Sequence, residues 1–163
     1  ILSGGPSSVY DNKAPQVDCD ILNLGIPVLG ICYGLHLMIN SSGGSILHKG
    51  KGEYGYAKIH SESESALLKN LSPESKVWMS HGDEIVSLGD GFETIARSSN
   101  NIVAAIQHHD KPLYGVQFHP EFSWDIIKKY VSVRSVSGVI VDDPSVPESN
   151  QGKAALHNFI DLI

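Results

Sequence analysis

Cys19 and Cys32 are the only cysteines among 163 residues, too few for a disulfide framework. Free thiols fit a reducing compartment, where a thiolate persists. Basic residues are sparse as well. Twelve Lys and Arg stand against 18 Asp and Glu, a formal net charge of −6, and no dense Lys/Arg run is present. That balance argues against nucleic-acid binding through a basic face. No apolar stretch reaches the length that spans a bilayer and no signal-peptide pattern is read, so the expectation is a cytoplasmic protein without membrane contact. Internal repeats and low-complexity tracts are missing too. Eight histidines raise the question of a metal. The neighbours His108 and His109 would point to opposite sides of a strand, and the cysteines lack zinc-finger spacing, so no metal site is expected. Gly50-Lys51-Gly52 lacks the glycine spacing of a Walker A loop. The serines and glutamates of 61–65 read as a solvated loop or helix start.

What is present is ordinary for a globular chain: 41% hydrophobic and 18% charged residues, with enough length for one domain and a substantial core. Short apolar runs alternate with glycine-bearing loops. Strands are expected at 28–31, 57–60, 76–79, 93–96, 103–106 and 113–118, and helices at 33–41 and 152–163, an α/β pattern. Leu156, Phe159 and Ile160 are spaced to pack one face of the last helix on the sheet, with Asn150 a candidate N-cap.

Chemistry concentrates at two places. Cys32 ends the apolar run Val28-Leu29-Gly30-Ile31 and precedes a helical pattern, which puts it at a strand-to-helix elbow. Gly30 and Gly34 leave room for a tight turn, and a helix N-terminus favours a thiolate. Taken alone, Gly-x-Cys-x-Gly equally suits a small core residue. Much later, His119-Pro120-Glu121 follows a strand-like run and offers a base with a carboxylate to orient it, although a structural histidine at a strand end would look the same. The combination suggests a cysteine hydrolase.

The segments Ser3-Gly4-Gly5-Pro6-Ser7-Ser8-Val9-Tyr10, Gly30-Ile31-Cys32-Tyr33-Gly34, Glu53-Tyr54-Gly55, Trp78-Met79-Ser80-His81-Gly82-Asp83 and Gly115-Val116-Gln117-Phe118-His119-Pro120-Glu121 together resemble the class I (triad-type) glutamine amidotransferases, and among them the GMP synthetase branch. The resemblance covers roughly residues 1–122, with a weaker match at 151–163. It implies a flavodoxin-like, mainly parallel sheet flanked by helices, and a triad of Cys32, His119 and Glu121. It also implies an oxyanion hole from the backbone N–H groups of Gly5 and Tyr33, each such donor being worth about 10²–10³ in rate. Glutamine is the implied substrate. Asp83 would face its α-ammonium, and backbone groups near Ser80 and His81 its carboxylate. In the family the released ammonia passes to an ATP pyrophosphatase (synthetase) domain or subunit that aminates XMP. ATP and Mg²⁺ are expected only there, because this chain has no Ser-Gly-Gly-Val-Asp-Ser nucleotide loop.

The chain departs from that family pattern in three ways. His36 stands where the family usually has a substrate-holding glutamine, so poorer contacts to glutamine are expected, improved by His36→Gln. The chain opens at Ile1 on the Ser-Gly-Gly-Pro loop, so the reading is a single domain over 1–163 that lacks the first strand and helix. Residues 123–150 form an apolar insertion before the last helix. Two alternatives therefore stand beside the amidotransferase: a catalytically impaired binding or regulatory domain, and a related peptidase or γ-glutamyl hydrolase.

Overall fold

The computed structural model describes residues 1–123, 125–127, 129 and 151–163, with 49–51 described by backbone alone. A 3-10 turn at Cys19–Asn23 precedes β1 (Val28–Ile31) and α1 (Tyr33–Ser41). Then come β2 (Ser45–Ser61), β3 (Glu74–Ser87), β4 (Phe92–Ser98), β5 (Val103–His108), β6 (Leu113–Val116) and α2 (Lys153–Ile160). The strands make one sheet in the order β1-β6-β5-β4-β2-β3.

Strand alternation builds the core on both sides of this sheet. Val28, Leu113 and Ile106 join Leu35, Met38 and Ile39 of α1 in one buried cluster. Leu29, Ile31, Ile95 and Ala105 join Phe118 and Phe159 in the other. The α/β layering expected from the sequence is therefore present, but its pairing is not mainly parallel among the described strands. β1 runs parallel to β6, and Leu2 adds an isolated parallel bridge to Gly30. The other four pairings are antiparallel. The connections 99–102 and 109–112 account for two of these, since a parallel crossover takes about a dozen residues or more.

The expected strands at 57–60 and 76–79 lie at the paired inner ends of much longer β2 and β3, among the last residues of β2 and the first of β3. Their outer arms carry His48, Glu53, His81 and Asp83, and a register shift lies between the pairs His48↔Asp83 and Glu53↔His81. The last helix differs from expectation at its edge. Ala155 and Phe159, four residues apart, are each 1% exposed, while Ile160 is 55% exposed and faces away from the sheet. Asn150 and the apolar valines of 123–150 lie outside the described residues, and the N-cap of α2 is Gly152, without a side-chain cap bond. No described helix is long and apolar enough to cross a membrane.

The contrast within α2 can be measured. Phe159→Ala should cost about 3–5 kcal/mol of unfolding free energy, the usual range for emptying a buried phenyl site. Ile160→Ala should stay within about 0.5 kcal/mol. Urea unfolding of both variants decides the orientation of the helix, and comparable losses at the two positions would contradict it.

Candidate active site

The chain turns from β1 into α1 at Cys32, which holds φ 50° and ψ −103°. A non-glycine residue in such a region costs about 1–3 kcal/mol and persists only where its surroundings fix it. Here the Cys32 N–H donates to the Val116 carbonyl at 2.8 Å, and the Cys32 carbonyl accepts from the His36 N–H at 3.1 Å. The flanking glycines serve close approach. A Cβ on Gly30 would lie 2.7 Å from the Gly34 carbonyl carbon, and one on Gly34 would lie 2.1 Å from the Leu2 carbonyl oxygen. Side chains at either position would push α1 off the sheet or off the first segment.

Beyond β6, the His119 N–H donates to the Trp78 carbonyl at 2.8 Å, which ties the histidine to β3. Its Nδ1 lies 2.7 Å from Glu121 Oε1. The Phe122 ring stacks on the imidazole with centroids 4.6 Å apart and 20° between planes. Burial opposes a charge on His119, yet hydrogen bonding to Cys32 and Glu121, and their negative charges, outweigh it and push the pKa up to about 9. With Nδ1 on Glu121, the other ring nitrogen serves the sulfur. At neutral pH the imidazole is therefore held in its cationic form beside the Cys32 sulfur.

Around this pair opens a cleft of about 580 Å³. It brings together every site residue named from the sequence: Cys32, His119 and Glu121, then Gly5 and Tyr33, then His36, Ser80, His81 and Asp83. The loop carrying Gly4 and Gly5 lies against both sides of the pair. A Cβ on Gly4 would meet His119 Cε1 at 2.9 Å, and one on Gly5 would touch the Tyr33 ring at 3.7 Å. Tyr33 opens α1, where a backbone N–H has no intrahelical partner. A wider, shallower depression along 61–73 has no cysteine or histidine in its walls.

Asp83 is 8% exposed. It accepts from the Ser8 hydroxyl, from Tyr10 Oη at 3.1 Å and from His48 Nδ1 at 3.1 Å. Burial raises its pKa, but the bonds from Ser8, His48 and Tyr10 overcome that and hold the carboxyl below the ordinary range, so it is ionised. The His81 imidazole is turned inward, with Nε2 3.3 Å from Glu53 Oε2 and Nδ1 2.9 Å from the Asp83 carbonyl oxygen. The part of His81 left for a ligand is its main chain. Glu53 is further bonded by Asn100 Nδ2 at 2.8 Å.

His36 is placed differently from the sequence expectation. It borders the cleft but is 3% exposed, and its Nε2 lies 2.8 Å from Gln117 Oε1. Gln117 was not among the expected site residues, nor were Glu53, Ser8, Tyr10 and His48. The available signal for Gln117 was its place two residues before His119, on the same side of an extended chain.

The class I glutamine amidotransferase family model matches residues 1–131 of this chain. The GMP synthase (glutamine-hydrolyzing) of Trichormus variabilis is 51% identical over 121 residues, which make up 74% of this chain and 22% of that protein. The chain thus spans 22% of the length of that curated relative. A Thermoplasma acidophilum protein, solved as a candidate subunit of GMP synthase, superposes with a TM-score of 0.66 at 27% identity, covering 87% of this chain and 59% of its own. The glutamine amido transferase of Methylobacillus flagellatus shares the fold, with a TM-score of 0.75 over 98% of this chain and 74% of its own at 21% identity.

The charge on His119 gives a pH test. In Cys32→Ala, and separately in Glu121→Gln, the His119 titration followed by imidazole proton NMR should move down from about 9. With both partners removed, burial alone should take it below its ordinary 6.5. Because the folded state holds a proton that the unfolded chain has lost, this group's contribution to stability is complete below pH 6.5 and is lost as pH rises towards 9. A midpoint still near 9 in Cys32→Ala would mean that the sulfur does not stabilise the imidazolium.

Proposed function

This chain belongs to the class I glutamine amidotransferase family, and from that premise we propose that it hydrolyses glutamine to glutamate and ammonia for the synthesis of GMP. The observation that carries this reading is the line of groups from the Cys32 sulfur through His119 to Glu121, with 2.7 Å at its second link, at one wall of a cleft. The names of the relatives supply the product. In the full reaction, ammonia is taken up by an ATP pyrophosphatase domain or subunit that aminates XMP, and ATP and Mg²⁺ act there. A cytoplasmic location suits such an enzyme.

Each step has a residue of this chain. The Cys32 thiolate adds to the side-chain amide carbon of glutamine, and the oxygen that becomes negative is met by the N–H groups of Gly5 and Tyr33. His119, already protonated, gives its proton to the departing ammonia and leaves a thioester on Cys32. The neutral imidazole then takes a proton from water, whose oxygen attacks the thioester carbon and releases glutamate. Glu121 keeps the ring oriented and stabilises its cationic form throughout. Asp83 attracts the α-ammonium, while main-chain groups at Ser80 and His81 take the α-carboxylate. A peptidase reading is less well supported, since an ionised Asp83 in the cleft favours an amino-acid ammonium over a peptide bond.

Steady-state ammonia release from glutamine, with and without a synthetase partner, tests the assignment. Cys32→Ala should show no glutamine-dependent turnover, and ammonia supplied directly to the assembled enzyme should bypass the loss. His119→Asn should be nearly as damaging. Glu121→Gln should lose less, since His119 can still act when less well oriented. A glutaminase rate in Cys32→Ala equal to the parent's would rule out this mechanism.

A further inference from the structure

Gln117 is fully buried directly behind the nucleophile. Its backbone N–H is fixed to the Ala104 carbonyl at 2.9 Å. One end of its side-chain amide, Nε2, lies 3.7 Å from Cys32 Sγ, and the other, Oε1, lies 2.8 Å from His36 Nε2. The two ends of an amide are chemically opposite. An N–H facing the sulfur favours a thiolate, whereas a carbonyl oxygen facing it would repel one.

What the far end meets decides which way the amide lies. Oε1 can only accept, so His36 must present an N–H at Nε2. A neutral imidazole protonated there does so. Burial is the main influence on His36, and it keeps the ring's pKa below the ordinary imidazole value. His36 sits one helical turn beyond Cys32 and its N–H is bonded to the Cys32 carbonyl at 3.1 Å, so the donor cannot drift from the nucleophile. A second contact makes the choice meaningful: the Ser80 carbonyl oxygen lies 3.8 Å from the same sulfur. That oxygen accepts from a thiol S–H, whereas the Gln117 N–H serves the thiolate. The two neighbours favour opposite protonation states.

We propose that Gln117 is a further catalytic residue, donating its Nε2–H to the Cys32 thiolate, and that His36 is a positioning residue which fixes the amide in that orientation. The inference rests on the reading of Cys32 as the nucleophile. The other titratable groups around the pair are His119 and Glu121 beyond β6 and His81 and Asp83 on β3.

The test is the pH dependence of Cys32 alkylation by iodoacetamide in the full chain, measured at the Cys32 peptide by mass spectrometry. The exposed Cys19 in the same sample is the internal control. In the parent, the Cys32 midpoint should lie clearly below that of Cys19. Gln117→Met keeps the length of the side chain but has no N–H, and should raise the Cys32 midpoint by about one pH unit, a tenfold loss of thiolate below the midpoint. His36→Leu should raise it in the same direction, and His36→Gln, which restores a donor to Oε1, should recover most of the shift. A purely structural role would change the unfolding temperature without moving this midpoint. An unmoved midpoint in Gln117→Met overturns the proposal. Should that variant not fold, an unmoved midpoint in His36→Leu does the same. A parent midpoint equal to that of Cys19 would instead remove the nucleophile reading, and the proposal with it.

Discussion

The hydrogen bond from the Cys32 N–H to the Val116 carbonyl is the constraint on which the rest of the site depends. It continues the parallel register of β1 and β6, in which Ile31 lies beside Val116, by one residue past the end of both strands. The nucleophile leaves one strand at the point where its neighbour begins the run Gln117, Phe118, His119. A slip of one residue in this register would exchange the faces, sending Phe118 to the cleft and His119 into the apolar cluster where Phe118 now sits. Sequence distance is thereby converted into contact: the residues that act on the sulfur lie on the adjacent strand's continuation, and the helix after the elbow brings His36 back over them.

The cleft also explains where most of the buried polar residues are. His36, Glu53, His81, Asp83, Gln117 and His119 are all buried, and each has a named partner across the site. Removing such groups from water is costly unless their hydrogen bonds are replaced, so the network must be satisfied nearly completely to exist. Two layers result. The inner one, made of Cys32, His119, Glu121 and Gln117, sets charge at the sulfur. The outer one, made of Glu53, His81, Asp83 and the donors Ser8, Tyr10 and His48, holds a carboxylate ionised at the opposite wall.

Legibility in the sequence followed physical cause. β1 and α1 were readable to the residue because a buried strand is a continuous apolar run and the helix repeats apolar positions after it. The outer arms of β2 and β3 were not, because their side chains answer to the cleft and carry charge where strand alternation would show apolar residues. Phe159 was readable as core. Ile160 was not readable as exposed, since adjacent apolar residues on a short helix do not say which of them the sheet will take. Cys32, His119 and Glu121 stand in recognisable local motifs, and the resemblance named Gly5, Tyr33, His36, Ser80, His81 and Asp83 but not Ser8 or His48, which also line the cleft. The partnership of His36 with Gln117, and that of His81 with Glu53, exists only through strand register and is carried by no local pattern.

The backbone at Cys32 sets folding against chemistry at a single position. A left-handed φ suits glycine, and a Cβ there carries a cost of about 1–3 kcal/mol. By backbone preference alone, the fold would gain from losing the one side chain that makes it an enzyme. The other bonds of the elbow must absorb that cost in every functional molecule, and variants selected for thermal robustness alone would drift towards an inert glycine at the turn.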